Sequence, residues 1–334
     1  MRANQRQQRR SRATAATPAV LLEPLEPRVH LTAFAYTSLM NYLGAAAPLM
    51  TLRPSGDDPA ARTIASAVAP AGDVNGDGVD DVIVGAGGVA PDGGPSSAIA
   101  AVYSGATGKL LYTFSDGAPE FGASVAGLGD VNGDGHADIA VGSPRFNGGA
   151  GEVGRVYVYS GLDGSVIRTL EGPSAGSRFG EAIAAAGDAS GDGVDDLVVG
   201  APGAGAAYIY AGAGGHLLQT LTGGPAGGRL GSAVSGAGDV DNDGRDDVIV
   251  GAPAAGAGAA LIFSGRTGAL LRTLTGAAAG ERFGASVAGG YDLSGDNVPD
   301  VAVGAPAASG GAGRVAVFSG ADGTTLFTVN GNKP

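Results

Sequence analysis

Five copies of one acidic nonapeptide dominate this chain. They are Asp73-Val74-Asn75-Gly76-Asp77-Gly78-Val79-Asp80-Asp81, Asp130–Asp138, Asp188–Asp196, Asp239–Asp247 and Asp292–Asp300, and their first residues lie 57, 58, 51 and 53 positions apart. A fixed period of this length is the mark of a repeat architecture, and it has to be read before any single element. The period is too long for an ankyrin or leucine-rich unit and suits a unit of four short strands.

The flanks repeat in the same register. Upstream of four copies stand Phe121-Gly122, Phe179-Gly180, Leu230-Gly231 and Phe283-Gly284, with Ile64-Ala65 at that place in the first unit. After each copy comes a β-branched run: Val82–Val84, Ile139–Val141, Leu197–Val199, Val248–Val250 and Val301–Val303. A breaker follows, as Gly142-Ser143-Pro144, Gly200-Ala201-Pro202, Gly251-Ala252-Pro253 and Gly304-Ala305-Pro306, with Gly85-Ala86-Gly87 in the first unit. A third strand comes next, such as Val156–Tyr159 or Leu261–Phe263. Then come a Gly-x-x-Gly turn and a fourth strand such as Val166–Leu170. Short β-rich runs bounded by Gly, Pro and Asp predict strands and hairpins, and no stretch carries a helical period.

Four strands per unit, five times over, predict an all-β fold, a β-propeller of five complete four-stranded blades. A lone four-stranded sheet cannot bury both faces, whereas radial stacking lets each blade cover the next. The 63 glycines would mark low complexity if they lacked a period, but here they recur with the unit. A compact ring of five blades is expected, with six blades, the N-terminal one incomplete, as the alternative. The expected divisions are a basic N-terminal tail over 1–32, a partial repeat or lead-in strand over 33–61, the propeller over 62–329, and a short tail over 330–334.

Charge separates the ends from the body. Residues 1–30 hold six arginines and two acids, so the rest of the chain carries 14 basic and 30 acidic groups. Nineteen of the 32 acids lie in the five loops, so the acidity belongs to the loops and calls for no separate anionic patch. So acidic a body is a poor partner for nucleic acid. No apolar run reaches the length of a transmembrane span. The absence of cysteine excludes a disulfide framework, thiolate metal sites and Cys nucleophiles.

Each loop offers oxygen ligands at positions 1, 3, 5 and 9, with the carbonyl of position 7 between them. The residues are Asp73, Asn75, Asp77, Val79 and Asp81; Asp130, Asn132, Asp134, His136 and Asp138; Asp188, Ser190, Asp192, Val194 and Asp196; Asp239, Asp241, Asp243, Arg245 and Asp247; and Asp292, Ser294, Asp296, Val298 and Asp300. Alternation at 1, 3 and 5 turns ligands to one side of a tight loop. Position 6 is glycine in four loops and Asn297 in the fifth, the residue types best able to enter left-handed backbone. Hard oxygen donors without Cys or His side chains select Ca²⁺ over Zn²⁺, with up to five ions. Without a cation, several carboxylates in one loop would oppose each other's ionisation. These are not EF-hands: position 12 is valine in every copy, where an EF-hand places a bidentate Glu. The competing reading is a plain Asp/Asn/Gly turn that binds nothing.

The ordered set of Phe-Gly, acidic loop and Gly-Ala-Pro resembles the FG-GAP repeat family, whose repeats build the integrin α-subunit β-propeller. The resemblance spans Arg62–Val329. It implies Ca²⁺ held by side chains at positions 1, 3, 5 and 9 and by the carbonyl at position 7. This chain departs from the integrin pattern in showing five units rather than seven, with an acidic loop in every one. A shorter resemblance lies at Leu25-Glu26-Pro27-Arg28-Val29-His30-Leu31. It is similar to the LEPR-x-L-L segment near the N-terminus of many surface or exported proteins of planctomycete-type bacteria, and implies export.

The reading that follows is a non-enzymatic, Ca²⁺-binding extracellular or cell-surface module for adhesion or protein interaction, with a protein or surface glycan as partner. A carbohydrate-binding propeller is the alternative. The chain has no Trp, and Tyr157, Tyr159, Tyr208, Tyr210 and Phe263 fall at positions the repeat reserves for core. A propeller hydrolase with paired carboxylates is the third reading. The three histidines, His30, His136 and His216, stand in no recognisable catalytic motif. Specificity is expected in the connections that vary most, Gly87–Ser97 and Arg145–Gly154.

Overall fold

A computed structural model describes residues 66–87, 98–149 and 151–332. The expectations for 1–32, 33–61, the Leu25–Leu31 segment and most of Gly87–Ser97 lie outside the described residues.

Twenty strands form five separate four-stranded antiparallel sheets, each a simple meander in chain order. The first blade is β1 (Ala67–Gly72), β2 (Asp81–Ala86), β3 (Ile99–Tyr103) and β4 (Leu110–Phe114). The second is β5 (Ser124–Gly129), β6 (Asp138–Ser143), β7 (Arg155–Tyr159) and β8 (Val166–Glu171). The third is β9 (Ala182–Gly187), β10 (Asp196–Ala201), β11 (Ala206–Tyr210) and β12 (Leu217–Leu221). The fourth is β13 (Ala233–Gly238), β14 (Asp247–Ala252), β15 (Ala259–Phe263) and β16 (Leu270–Thr275). The fifth is β17 (Ser286–Tyr291), β18 (Asp300–Ala305), β19 (Arg314–Phe318) and β20 (Thr325–Asn330). One turn, α1 (Ala308–Gly311), interrupts the fifth blade's β18–β19 connection.

The strands are as the β-branched runs predict, with one difference. The Gly and Ala of each Gly-Ala-Pro motif are the last two residues of the second strand rather than its breaker; Pro202, Pro253 and Pro306 alone stand outside it. The reason is steric. A Cβ on Gly85, Gly142, Gly200 or Gly251 would overlap the carbonyl oxygen of the next blade's Phe-Gly glycine: Gly122, Gly180, Gly231 and Gly284. Within each blade the same two motifs are joined by a hydrogen bond. The Gly122, Gly180, Gly231 and Gly284 N–H groups donate to the carbonyls of Gly142, Gly200, Gly251 and Gly304 at 2.9–3.0 Å. The two halves of the repeat motif are therefore one contact.

The core lies between blades. Four apolar clusters join the first blade to the second, the second to the third, the third to the fourth and the fourth to the fifth. Phe121, Phe179, Leu230 and Phe283 are fully buried in them. Tyr157, Tyr159 and Phe263 are buried as the repeat predicts, and Tyr208 and Tyr210 are half-buried. Across the first interface Phe114 stacks on Tyr159 with ring centroids 4.1 Å apart. Alternation of side chains along each strand gives every blade two apolar faces, which is what stacking requires.

A second set of links runs blade to blade at the fourth strands. Tyr112 Oη donates to Leu162 O at 3.0 Å, Arg168 Nη1 to Ala211 O at 3.2 Å, Gln219 Nε2 to Arg266 O at 2.8 Å, and Arg272 Nε to Gly320 O at 2.9 Å. The fourth strands of the first four blades thus each latch onto the third-to-fourth strand turn of the next blade. The sequence hides this device, because four latches use three residue types.

Candidate metal-binding loops

All five acidic loops join the first and second strands of their blades, so the meander places them at the same end of every sheet. A hydrogen-bond scheme repeats in them. The position-1 carboxylate gathers the loop's own N–H groups. In the first loop, Asp73 Oδ1 accepts from Gly76 at 2.8 Å and Asp77 at 3.0 Å, and Oδ2 accepts from Gly78 at 2.8 Å. Asp130, Asp188 and Asp292 do the same for their loops, and Asp239 accepts from Asp243 and Gly244 alone. Position 5 accepts the N–H of position 7 in all five: Asp77 from Val79, Asp134 from His136, Asp192 from Val194, Asp243 from Arg245 and Asp296 from Val298, at 2.9–3.1 Å. Such a wrap needs left-handed backbone at position 6. Gly78, Gly135, Gly193 and Gly244 have φ of 82–90°, and Asn297 takes 67° in the fifth loop.

Position 9 differs from the other candidate ligand positions in a way the sequence does not reveal. Asp81, Asp138, Asp196, Asp247 and Asp300 are buried, and each opens a second strand. One oxygen accepts from the start of its own loop: Val74, Val131, Ser190, Val240 and Leu293 N–H at 2.7–3.0 Å. The other accepts from the first glycine of the blade's Gly-x-x-Gly turn: Gly105, Gly161, Gly212, Gly265 and Gly320 at 2.9–3.1 Å. These aspartates clasp two loops of one blade, whatever else they bind.

The third positions are the least uniform. Asn75 donates its amide to Asp81, and Asn132 donates to Asp134 at 2.8 Å. Ser294 Oγ donates to Asp292 at 3.2 Å. Ser190 Oγ lies 3.5 Å from Asp188 Oδ1, at the limit of such a bond. Asp241 instead adds a further carboxylate. The fourth loop consequently brings one oxygen each of Asp239, Asp241 and Asp247 within 4.8 Å of one another, the one such carboxylate group among the described residues.

Electrostatics follow from this crowding. Burial, with Asp241 and Asp239 nearby, pushes the Asp247 carboxyl up to about 7 despite its backbone hydrogen bonds. Burial raises Asp138 to about 6 and also raises Asp81 and Asp196. At two exposed loop positions the direction reverses, although exposed Asp241 is itself raised by partial burial and by Asp243. The Asn132 amide holds Asp134 below the usual carboxylate range, and the Asn297 N–H does so for Asp292. In the fourth loop, where buried Asp247 lies in reach of Asp239 and exposed Asp241, the oxygen-only donor set fits a hard divalent cation.

Neighbouring loops are also tied together. Asp73 O accepts from Ala137 N–H at 3.0 Å, and Asp188 O from Asp246 N–H at 3.2 Å. His136 Nδ1 lies 2.8 Å from Val74 O, so its ring joins the first two loops. The sequence assigns His136 only a carbonyl role, and nothing in its local pattern points to this bridge. His216 is exposed, as its place beside a turn predicts.

The opposite end of the blades carries a different chemistry. There Glu120, Arg178, Glu181 and Arg229 form a run of ion pairs across the second, third and fourth blades, and Arg145 pairs with Glu120 and Glu152. The variable Arg145–Gly154 connection reaches this end.

The fold and loops together define a class, a propeller of four-stranded blades with an acidic loop after each first strand. Family models agree. The FG-GAP repeat matches residues 121–159 and 283–318, and the FG-GAP-like repeat matches 188–250. Among similar proteins are integrin alpha-8 of Gallus gallus, 34% identical over 238 residues, and integrin alpha-5 of Xenopus laevis, 33% identical over 252 residues. A third is integrin alpha-PS2 of Drosophila melanogaster, 33% identical over 214 residues. These alignments cover 64%, 70% and 53% of this chain, but only 22%, 19% and 14% of those proteins. The chain carries FG-GAP repeats, folded as four-stranded propeller blades.

Proposed function

We propose that this protein is a calcium-binding, non-enzymatic interaction module that works outside the cell or at its surface. The observation that carries the reading is the five-fold loop set. Oxygen-only donors recur in register at one end of every blade, and in the fourth loop three carboxylates converge. Positions 1, 3, 5 and 9 supply side chains and position 7 its carbonyl. A bound Ca²⁺ would supply charge neutralisation and rigidity. The protein's residues fix the loop to the blade through the position-9 clasp and leave the Arg/Glu-rich end free to meet a partner. Extracellular Ca²⁺ is abundant enough to fill sites of modest affinity, which favours the exported setting. The similarity to integrin α subunits favours adhesion or protein contact over catalysis. No helix among the described residues is long and apolar enough to cross a membrane.

Carbohydrate binding is the weaker reading, because the aromatic side chains of the repeat serve the blade interfaces. The test is calorimetric titration of the chelator-stripped full chain with Ca²⁺, followed by surface-retention assays on cells with Ca²⁺ or chelator. Saturable Ca²⁺ binding with Ca²⁺-dependent retention is expected. Absence of binding heat, or retention indifferent to chelator, contradicts the proposal.

A further inference from the structure

Four blade-to-blade interfaces are complete and share one plan, with Val287 and Leu170 only partly buried at its equivalent positions. A first-strand residue of one blade, Val125, Ile183 or Val234, is 7–8% exposed because the preceding blade covers it. Fourth-strand residues of that preceding blade, such as Phe114, Leu221 and Leu274, are covered in return. Two half-interfaces of this kind have no partner among the described residues.

On the leading face of the first blade, Val68 holds the place of Val125, Ile183 and Val234, yet is 46% exposed. Val82 and Val84 beside it are half-exposed, where their counterparts Ile139, Val141, Val248 and Val250 are buried. On the trailing face of the fifth blade, Val329 holds the place of Phe114, Leu221 and Leu274, yet is 59% exposed. Leu326 and Phe327 of the same strand are also exposed, and every residue of β20 is exposed, unlike any other fourth strand. Gly304 makes the same point in backbone. A Cβ there would meet only Ser286 of its own blade, where the four equivalent glycines would strike the next blade's carbonyl. No apolar cluster links the fifth blade to the first among the described residues.

We infer that the trailing face of the fifth blade docks on the leading face of the first blade of a second copy of this chain. The occupant is argued from continuity with the existing interfaces. The two open faces are the complementary halves of a contact that the chain already makes four times, with the same apolar positions and the same glycine left free to approach a backbone. Phe327 sharpens the argument. Its counterparts Tyr112, Arg168, Gln219 and Arg272 satisfy a turn carbonyl of their own successor, whereas Phe327 offers only apolar surface and gains only by being covered. Because the faces differ, the contact is heterologous. It propagates head to tail, into a ring or an open string according to the rotation at each step.

The test uses the full chain and two variants, Val68→Asp and Phe327→Asp, each placing a charge on one open face at an exposed site. Sedimentation velocity in Ca²⁺ buffer should show the wild-type mass rising with concentration. Each variant alone should stay at the mass of one chain, since each retains only one working face. An equimolar mixture should form a two-chain species, because the intact trailing face of Val68→Asp meets the intact leading face of Phe327→Asp. Far-ultraviolet circular dichroism confirms that both variants keep the wild-type fold. A wild-type chain that stays single at all concentrations overturns the inference and assigns the faces to another occupant, such as residues 33–61. An oligomer that survives both substitutions, or a mixture no larger than its components, overturns it as well.

Discussion

At the scale of single residues, the position-9 aspartates separate two roles that the sequence presents as one. Asp247 is buried and accepts backbone N–H groups from Val240 and Gly265, while Asp241 is exposed at the rim. Removing a buried acceptor strands its donors, at about 1–3 kcal/mol each. Asp247→Ala should therefore cost about 2–4 kcal/mol in denaturant unfolding even with chelator present. Asp241→Ala should cost under about 1 kcal/mol in chelator, in keeping with an exposed site, and more than that in Ca²⁺, where it removes a proposed ligand. The raised Asp247 carboxyl, at about 7 against an ordinary value near 4, carries its own prediction. The folded chain holds a proton there that the unfolded chain releases, so this stabilising contribution is complete below about pH 4 and is lost as pH rises through about 7. Chelated protein should melt at a lower temperature at pH 8 than at pH 5. Asp247→Asn should flatten that dependence. The acidic and polar residue types, their spacing and the left-handed position 6 are all legible in the sequence, because they are local. The clasp to Gly265 is not, since it spans 18 residues and depends on how a hairpin folds back.

Among the elements, the repeat register predicts all five blades and the Phe-Gly positions, because β-branched runs and turn residues recur with one period. It misplaces the glycine of Gly-Ala-Pro, which reads as a breaker but ends a strand, since its constraint comes from a neighbouring blade rather than from its own chain. The fourth-strand latches are equally invisible: Tyr112, Arg168, Gln219 and Arg272 share only the ability to donate a hydrogen bond. Phe283 illustrates the energetics. It is fully buried between the fourth and fifth blades and meets Phe318 edge-on at 5.9 Å. Phe283→Ala should destabilise the protein by about 3–5 kcal/mol, the range for emptying a large core position. Loss of the Arg272 latch through Arg272→Ala should cost about 1–2 kcal/mol, since its guanidinium donates to the carbonyls of both Gly320 and Ala321. Equilibrium denaturation of the two variants checks both the order and the size.

For the whole molecule, the proposed cation binding and the stability of the blades converge on the same loops. Each blade covers its neighbour through apolar faces, and each acidic loop is tied to its blade by a buried aspartate and, at the first and third blades, to the next loop by a backbone hydrogen bond. A cation bound in one loop therefore bears on the blade stack as well as on its own turn. Any ion that binds the folded chain alone stabilises it by mass action, about 1–3 kcal/mol per site when free Ca²⁺ exceeds the dissociation constant by roughly 10- to 100-fold. The most direct measurement is thermal unfolding of the full chain at neutral pH in millimolar Ca²⁺ and in excess chelator. The loops as metal sites predict a large upward shift of the melting temperature with Ca²⁺, reduced stepwise by substitutions such as Asp77→Ala, Asp241→Ala and Asp296→Ala at separate loops. Identical melting curves in Ca²⁺ and chelator would contradict the account and leave the five acidic nonapeptides as turns that bind nothing.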